Sequence, residues 1–166
     1  MRELVITEIT RPSPTSYFGP KEKGFLSWDT LIWRFAAEKS YWVVTSYETP
    51  HTMPVWGVWH DCAFRFSTSP VSRKAKNLKQ NSNAIVHLAD TEAVFSLHCT
   101  AAEITAEDEL QTFCGEYNPK YRWNFKPTDV AGGAFALTPH TAFAWSAGEG
   151  AGFHDTATRW QFEVSD

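Results

Sequence analysis

Ser67, Thr68, Ser69, Ser72, Arg73 and Lys74 stand almost back to back in a chain of 166 residues. Hydroxyls both accept and donate hydrogen bonds and the two cations add charge, so the set is chemically suited to cradle a phosphate. Ser72 reads as the N-cap of a helix from Arg73 to Gln80, stopped by Asn81-Ser82-Asn83. Arg73 and Lys74 then occupy the first helical turn, where the macrodipole disfavours each cation by about 0.3 kcal/mol or more. A bound anion removes that conflict, because free N–H groups, dipole and both side chains all favour it. The window Val71–Gln80 also carries Lys76 and Lys79 and no acid. A solvated basic face is the alternative, and the wrong-end cations with hydroxyls before them weigh against it.

No other stretch competes for chemistry. GxSxG, HExxH and P-loop patterns are absent from the sequence. The histidines (51, 60, 87, 98, 140 and 154) are scattered, and Cys62, Cys99 and Cys114 form neither a CxxC pair nor a zinc spacing. No metal site is expected. Gly148, Gly150 and Gly152 do not follow a strand and open a helix, which excludes a dinucleotide fingerprint. An enzyme built this way borrows its reactive group, and a phosphate-bearing cofactor is the natural source.

Composition narrows the partners. A net charge of −4 and a pI of about 5.8 argue against a general grip on nucleic acid. No apolar run approaches the roughly 18 residues a membrane span requires. Arg2, Glu3 and Glu8 interrupt any secretory h-region, and three unpaired cysteines fit a reducing interior, so a cytoplasmic setting is expected. Eight tryptophans supply broad apolar surfaces for a core, a pocket or an interface.

The elements that must position the cradle follow from periodicity. Residues 1–26 read as an extended arm: a short strand around Leu4–Ile9, then Pro12, Pro14 and Pro20 holding the chain out of regular pairing. Residues 27–166 read as one domain. Ser27 caps a helix whose stripe of Trp28, Leu31, Ile32 and Phe35 marks a buried face, a plug for a barrel end. Strands are expected over 41–47, 51–60, 63–67, 84–90, 93–104, 134–139, 141–146 and 156–164. Apolar residues on both faces of 51–60 predict a covered outer side, and Pro54 predicts an edge, bulge or break. Thr105-Ala106-Glu107-Asp108 resembles a capping box opening a helix to Tyr117, with Leu110, Phe113, Cys114 and Tyr117 buried. Residues 118–133 read as a loop. Together these imply a mostly β fold, an antiparallel barrel with short helices at its ends.

The ordered combination of Pro54-Val55-Trp56, Phe66-Ser67-Thr68, Ser72-Arg73-Lys74-Ala75-Lys76-Asn77-Leu78 and the late Thr158-Arg159-Trp160 resembles the pyridoxamine 5′-phosphate oxidase-like flavin-binding family. That resemblance implies an antiparallel split β-barrel, a homodimer, and FMN or the deazaflavin coenzyme F420 at the subunit interface. It implies that Met53, Pro54, Val55 and Trp56 run beside the isoalloxazine ring, largely through backbone contacts. Ser67 and Thr68 would contact the ribityl phosphate; Ser72, Arg73 and Lys74 would hold it, with Asn77 nearby. Trp160 would flank the ring, with Trp145 and Arg159 as weaker candidates. The implied activity is hydride or electron transfer to or from a small organic substrate; a non-catalytic flavin carrier is the alternative. Gly152-Phe153-His154 stands where the true oxidase has an arginine two residues before a histidine. Without that arginine's bidentate clamp, pyridoxamine phosphate is not the expected substrate.

Overall fold

Alternating hydrophobicity and turn chemistry resolve into nine strands and five helices over residues 14–16, 24–147 and 152–162, which the computed structural model describes. The strand expected around Leu4–Ile9 lies outside these residues. Strand β1 (Pro14–Ser16) opens on a proline, tolerated at a strand's first position, and pairs antiparallel with β9 (Thr158–Gln161). This corrects the expectation that the proline-rich arm stays out of pairing.

Helix α1 (Trp28–Ala37) starts where expected, the Ser27 hydroxyl accepting the Thr30 N–H at 3.4 Å. Its stripe enters the core. The Phe35 ring is fully buried, with centroids 4.8 to 5.9 Å from Tyr41, Phe95, Phe64 and Trp59. Such a ring cluster contributes beyond its buried area through edge-to-face contacts.

The sheet runs β1-β9-β8-β7-β6-β2-β3, with β5 on the side of β8 and β4 on β5. Here β2 is Tyr41–Tyr47, β3 Thr49–Val55, β4 Gly57–His60, β5 Ala63–Ser67, β6 Asn83–His87, β7 Ala93–Glu103 and β8 Ala134–Ser146. One expected strand, 51–60, is therefore two, parted at Trp56. Strand β3 is an edge strand pairing only with β2, so Pro50 and Pro54 cost no second ladder. Conversely, the expected 134–139 and 141–146 strands are one. A bulge at His140 lets Pro139 face Cys99 and Thr141 face His98 without ending the strand. Strand β8 is where the barrel splits: residues 134–137 carry β5 and residues 141–144 carry β9, while β7 runs along its other edge throughout.

Helix α2 (Arg73–Gln80) covers one end of β2. Helix α3 (Glu107–Tyr121) buries Leu110, Phe113, Cys114 and Tyr117 against Val58, Ile104 and Ala134 as a second cluster. No side chain caps it: Ala106 is the N-cap, and the Asp108 carboxylate accepts the N–H of Glu109 rather than that of an N-cap residue. It runs past Pro119 to Tyr121 because tertiary hydrogen bonds hold its last turn. The segment read as a loop also contains α4 (Pro127–Val130), and α5 (Phe153–Thr156) precedes β9, whose expected start at 156 moves to 158.

Candidate functional site

The α2 start is built as its sequence requires. Ser72 accepts the Ala75 N–H on its hydroxyl at 3.2 Å and receives the Thr68 hydroxyl proton at 3.1 Å. Thr68 is itself anchored, its N–H donating to Gly133 O at 2.9 Å. Gly133 permits this approach, since a Cβ there would lie 2.0 Å from the Thr68 carbonyl oxygen. Ser67 ends β5 opposite Ala134.

Beyond the cap, positive groups are left over. Lys74 is only 9% exposed, yet its ammonium makes no hydrogen bond or ion pair among the described residues. Burial lowers its pKa. A cation in this condition is costly unless something pairs with it. Arg73, exposed beside it, gives one N–H to Thr49 Oγ1 at 2.7 Å. Asn77 is buried and donates to Thr45 Oγ1 at 3.1 Å, so its amide ties α2 to β2.

That tie brings in residues that motif reading missed. Thr45 pairs with His51 across the β2–β3 ladder, so both side chains lie on the face that α2 covers, with Thr49 one step along. His51 titrates below the ordinary histidine range because of desolvation and the charges of Lys74 and Arg73. The cluster is thus Thr49, His51, Ser72, Arg73 and Lys74, drawn from a hairpin and a helix start. Only strand register reveals the hairpin's share.

The other predicted residues lie along the same edge or apart from it. Met53, Pro54 and Trp56 are exposed on or just after edge strand β3, while the Val55 side chain is buried. An edge strand offers unpaired backbone N–H and C=O groups on its outer side. Trp160 is not brought to this edge; it is 1% exposed and packs on Trp28 at 5.6 Å. Trp145 packs edge-on against Phe153, and Arg159 donates from Nε to Thr15 Oγ1.

A second unpredicted feature adjoins Trp56. Lys120 donates to the carbonyl oxygens of Ala36 and Gly57 and to the Tyr41 hydroxyl, each at 2.9 Å. The Tyr121 hydroxyl accepts the Gly57 N–H at 2.9 Å, and the Tyr121 ring stacks on Trp56 with centroids 5.0 Å apart. Burial lowers the Lys120 pKa to about 8 and raises that of Tyr121 to about 12. Together with Lys39, Ser40 and Arg122, these side chains and Trp56 line a pocket of about 410 Å³. No acid lines it. The three cysteines are free, and no group of three or more metal-ligating side chains occurs among the described residues.

Residues 34–146 match the family model described as pyridoxamine 5′-phosphate oxidase. No curated protein matches significantly in sequence. Solved structures are similar in fold. The conserved hypothetical protein Rv2991 from Mycobacterium tuberculosis is 14% identical with a TM-score of 0.65, over 78% of this chain and 91% of that one. PhzG from Burkholderia lata 383, in complex with tetrahydrophenazine-1-carboxylic acid, is 14% identical with a TM-score of 0.57, over 83% and 88%. An F420 reductase is 19% identical with a TM-score of 0.51, over 62% and 87%.

Proposed function

Because the chain belongs to the pyridoxamine 5′-phosphate oxidase family, we propose that it is a dimeric oxidoreductase holding FMN by its phosphate at the start of α2. The observation that carries this reading is Lys74: a side chain only 9% exposed whose ammonium has no partner among the described residues, beside Arg73 and at a helix N-terminus whose first turn has no acid. A phosphate supplies what that arrangement lacks, and charge-assisted hydrogen bonds to it are the strong kind. Coenzyme F420 is the alternative occupant, favoured by the likeness to an F420 reductase.

Bound there, a flavin supplies the hydride or electron chemistry. The chain's own residues bind and orient. Lys74, Arg73 and the first-turn N–H groups take the phosphate; Ser72 and Thr68 fix the loop that presents them. The free edge of β3 from Met53 to Trp56 offers backbone donors and acceptors to a ring lying along it. Trp56, held flat by Tyr121, screens that edge from water. The small organic substrate would reach the ring through the pocket beside Trp56, where Lys39, Lys120 and Arg122 favour an anion. Gly152 contributes no clamp, so pyridoxamine phosphate is not the substrate assigned. The outer face of β2, β6, β7 and β8 carries Trp42, Val44, Ile85 and Phe143, an apolar surface suited to a second copy. The free thiols suit the cytoplasm.

The test is the visible spectrum of the purified, desalted protein, with mass spectrometry of whatever is released on denaturation. A flavin or deazaflavin in near-stoichiometric amount is expected. A colourless protein that takes up neither on titration overturns the proposal.

A further inference from the structure

His51 is the one titratable group of the phosphate cluster whose charge changes near neutral pH. Four observations place it there. Register sets it opposite Thr45, whose hydroxyl is held by Asn77 of α2. Thr49, two residues before it on the same face, accepts from Arg73. Lys74, nine-tenths buried and without a partner among the described residues, acts on it together with Arg73. His51 itself is half-buried and has no hydrogen-bond partner among the described residues.

We infer that His51 is a further ligand of the bound phosphate, and that phosphate binding at this site takes up a proton on its imidazole. The inference rests on the cofactor reading above and extends it to a residue that no motif marks. The charged groups bearing on His51 are Lys74 and Arg73 from α2; β2 presents Val43, Thr45 and Tyr47 on that face, and the hairpin's acid, Glu48, sits on the exposed turn. In the free protein desolvation and the two cations lower the His51 pKa and so disfavour its charged form. A phosphate between them reverses the local field, the imidazole becomes a second charged donor, and by linkage affinity rises as pH falls. The phosphate's own second ionisation, near pH 6, works in the opposite sense, since the dianion binds better. Comparison with a His51 variant removes that shared contribution.

The test uses FMN as probe, titrated into the wild type, His51→Gln and the Arg73→Ala/Lys74→Ala double variant between about pH 5 and 8. The His51 imidazole is followed by NMR, its signal identified by its loss in His51→Gln. FMN is expected to raise the His51 pKa by about one unit, which makes the wild type's gain in affinity at low pH about tenfold larger than that of His51→Gln. A His51 pKa indifferent to FMN, or identical pH profiles for the wild type and His51→Gln, overturns the inference. If FMN binding collapses in the double variant at the same time, the cofactor reading stands without it. If the double variant binds FMN as tightly as the wild type, both fall.

Discussion

Lys74 and Lys120 are both substantially buried lysines, and their surroundings give them opposite meanings. Lys120 has three acceptors for its three protons, so it is a fastener joining the end of α1, the start of β4 and the last turn of α3. Lys74 has none among the described residues, which suits it to the proposed role of receiving a phosphate. Arg73→Ala and Lys74→Ala should each weaken FMN binding by about 1.5–3 kcal/mol per charge-assisted hydrogen bond lost, read by flavin fluorescence titration. The fold should persist, because neither side chain fills the core. Lys120 has a pH signature instead. Its folded pKa, about 8, lies below the unfolded value of 10.5, so between those values the unfolded chain binds more protons and stability from this group rises with pH. Thiols and phenols whose folded pKa values are raised act the other way at alkaline pH. The wild-type stability curve minus that of Lys120→Met should therefore climb from about pH 8 upward in urea melts. A flat difference would show that Lys120 is not held as described.

Among the elements, α2 was the most legible because its signals are local: a serine cap, cations in the first turn, asparagines at the end. The β2–β3 hairpin's contribution was hidden, because Thr49 and His51 join the cluster through ladder register, which pairs residues that sequence spacing does not relate. Pro54 announced an edge, bulge or break in 51–60, but that the break falls at Trp56 was hidden. Apolar residues on both faces run straight through 51–60, and only packing separates β3 from β4. Gly57 is the hinge of that break. A Cβ there would lie 2.3 Å from Phe64 Cζ and 2.7 Å from the Arg65 carbonyl oxygen, both in the well-packed barrel wall. Gly57→Ala is predicted to cost about 1–3 kcal/mol through overpacking, seen as a lower urea midpoint with unchanged slope. It should also disturb the pocket, because Gly57 bonds both Lys120 and Tyr121. The length of α3 misled in the opposite direction: its buried stripe ends at Tyr117, and those same bonds carry the helix past Pro119 to Tyr121.

On the scale of the molecule, strand content and the core stripes pointed to an antiparallel barrel, the family resemblance implied a split one, and residues 34–146 carry the family's pattern. What could not be read was the closure of the barrel, which depends on β8 changing partners from β5 to β9 around a bulge. Trp160 shows what a motif alone leaves open. Its place in a late motif associated it with the ring, whereas within this chain it fills the core. The proposed dimer rests on the outer sheet face, where Val44, Ile85 and His98 line up across three strands. Ile85→Asp should convert a dimer to monomers in sedimentation velocity while leaving far-UV circular dichroism unchanged, and FMN affinity should fall with it. The measurement that bears most directly on the phosphate site is the affinity of the protein for FMN against that for riboflavin, which differ only by the phosphate. With Lys74 and Arg73 each contributing about 1.5 kcal/mol or more, FMN should bind roughly a hundredfold tighter or better, and most of that preference should be lost in Arg73→Ala/Lys74→Ala. Equal affinities for FMN and riboflavin, or a preference that survives the double substitution undiminished, would contradict a phosphate site at the start of α2.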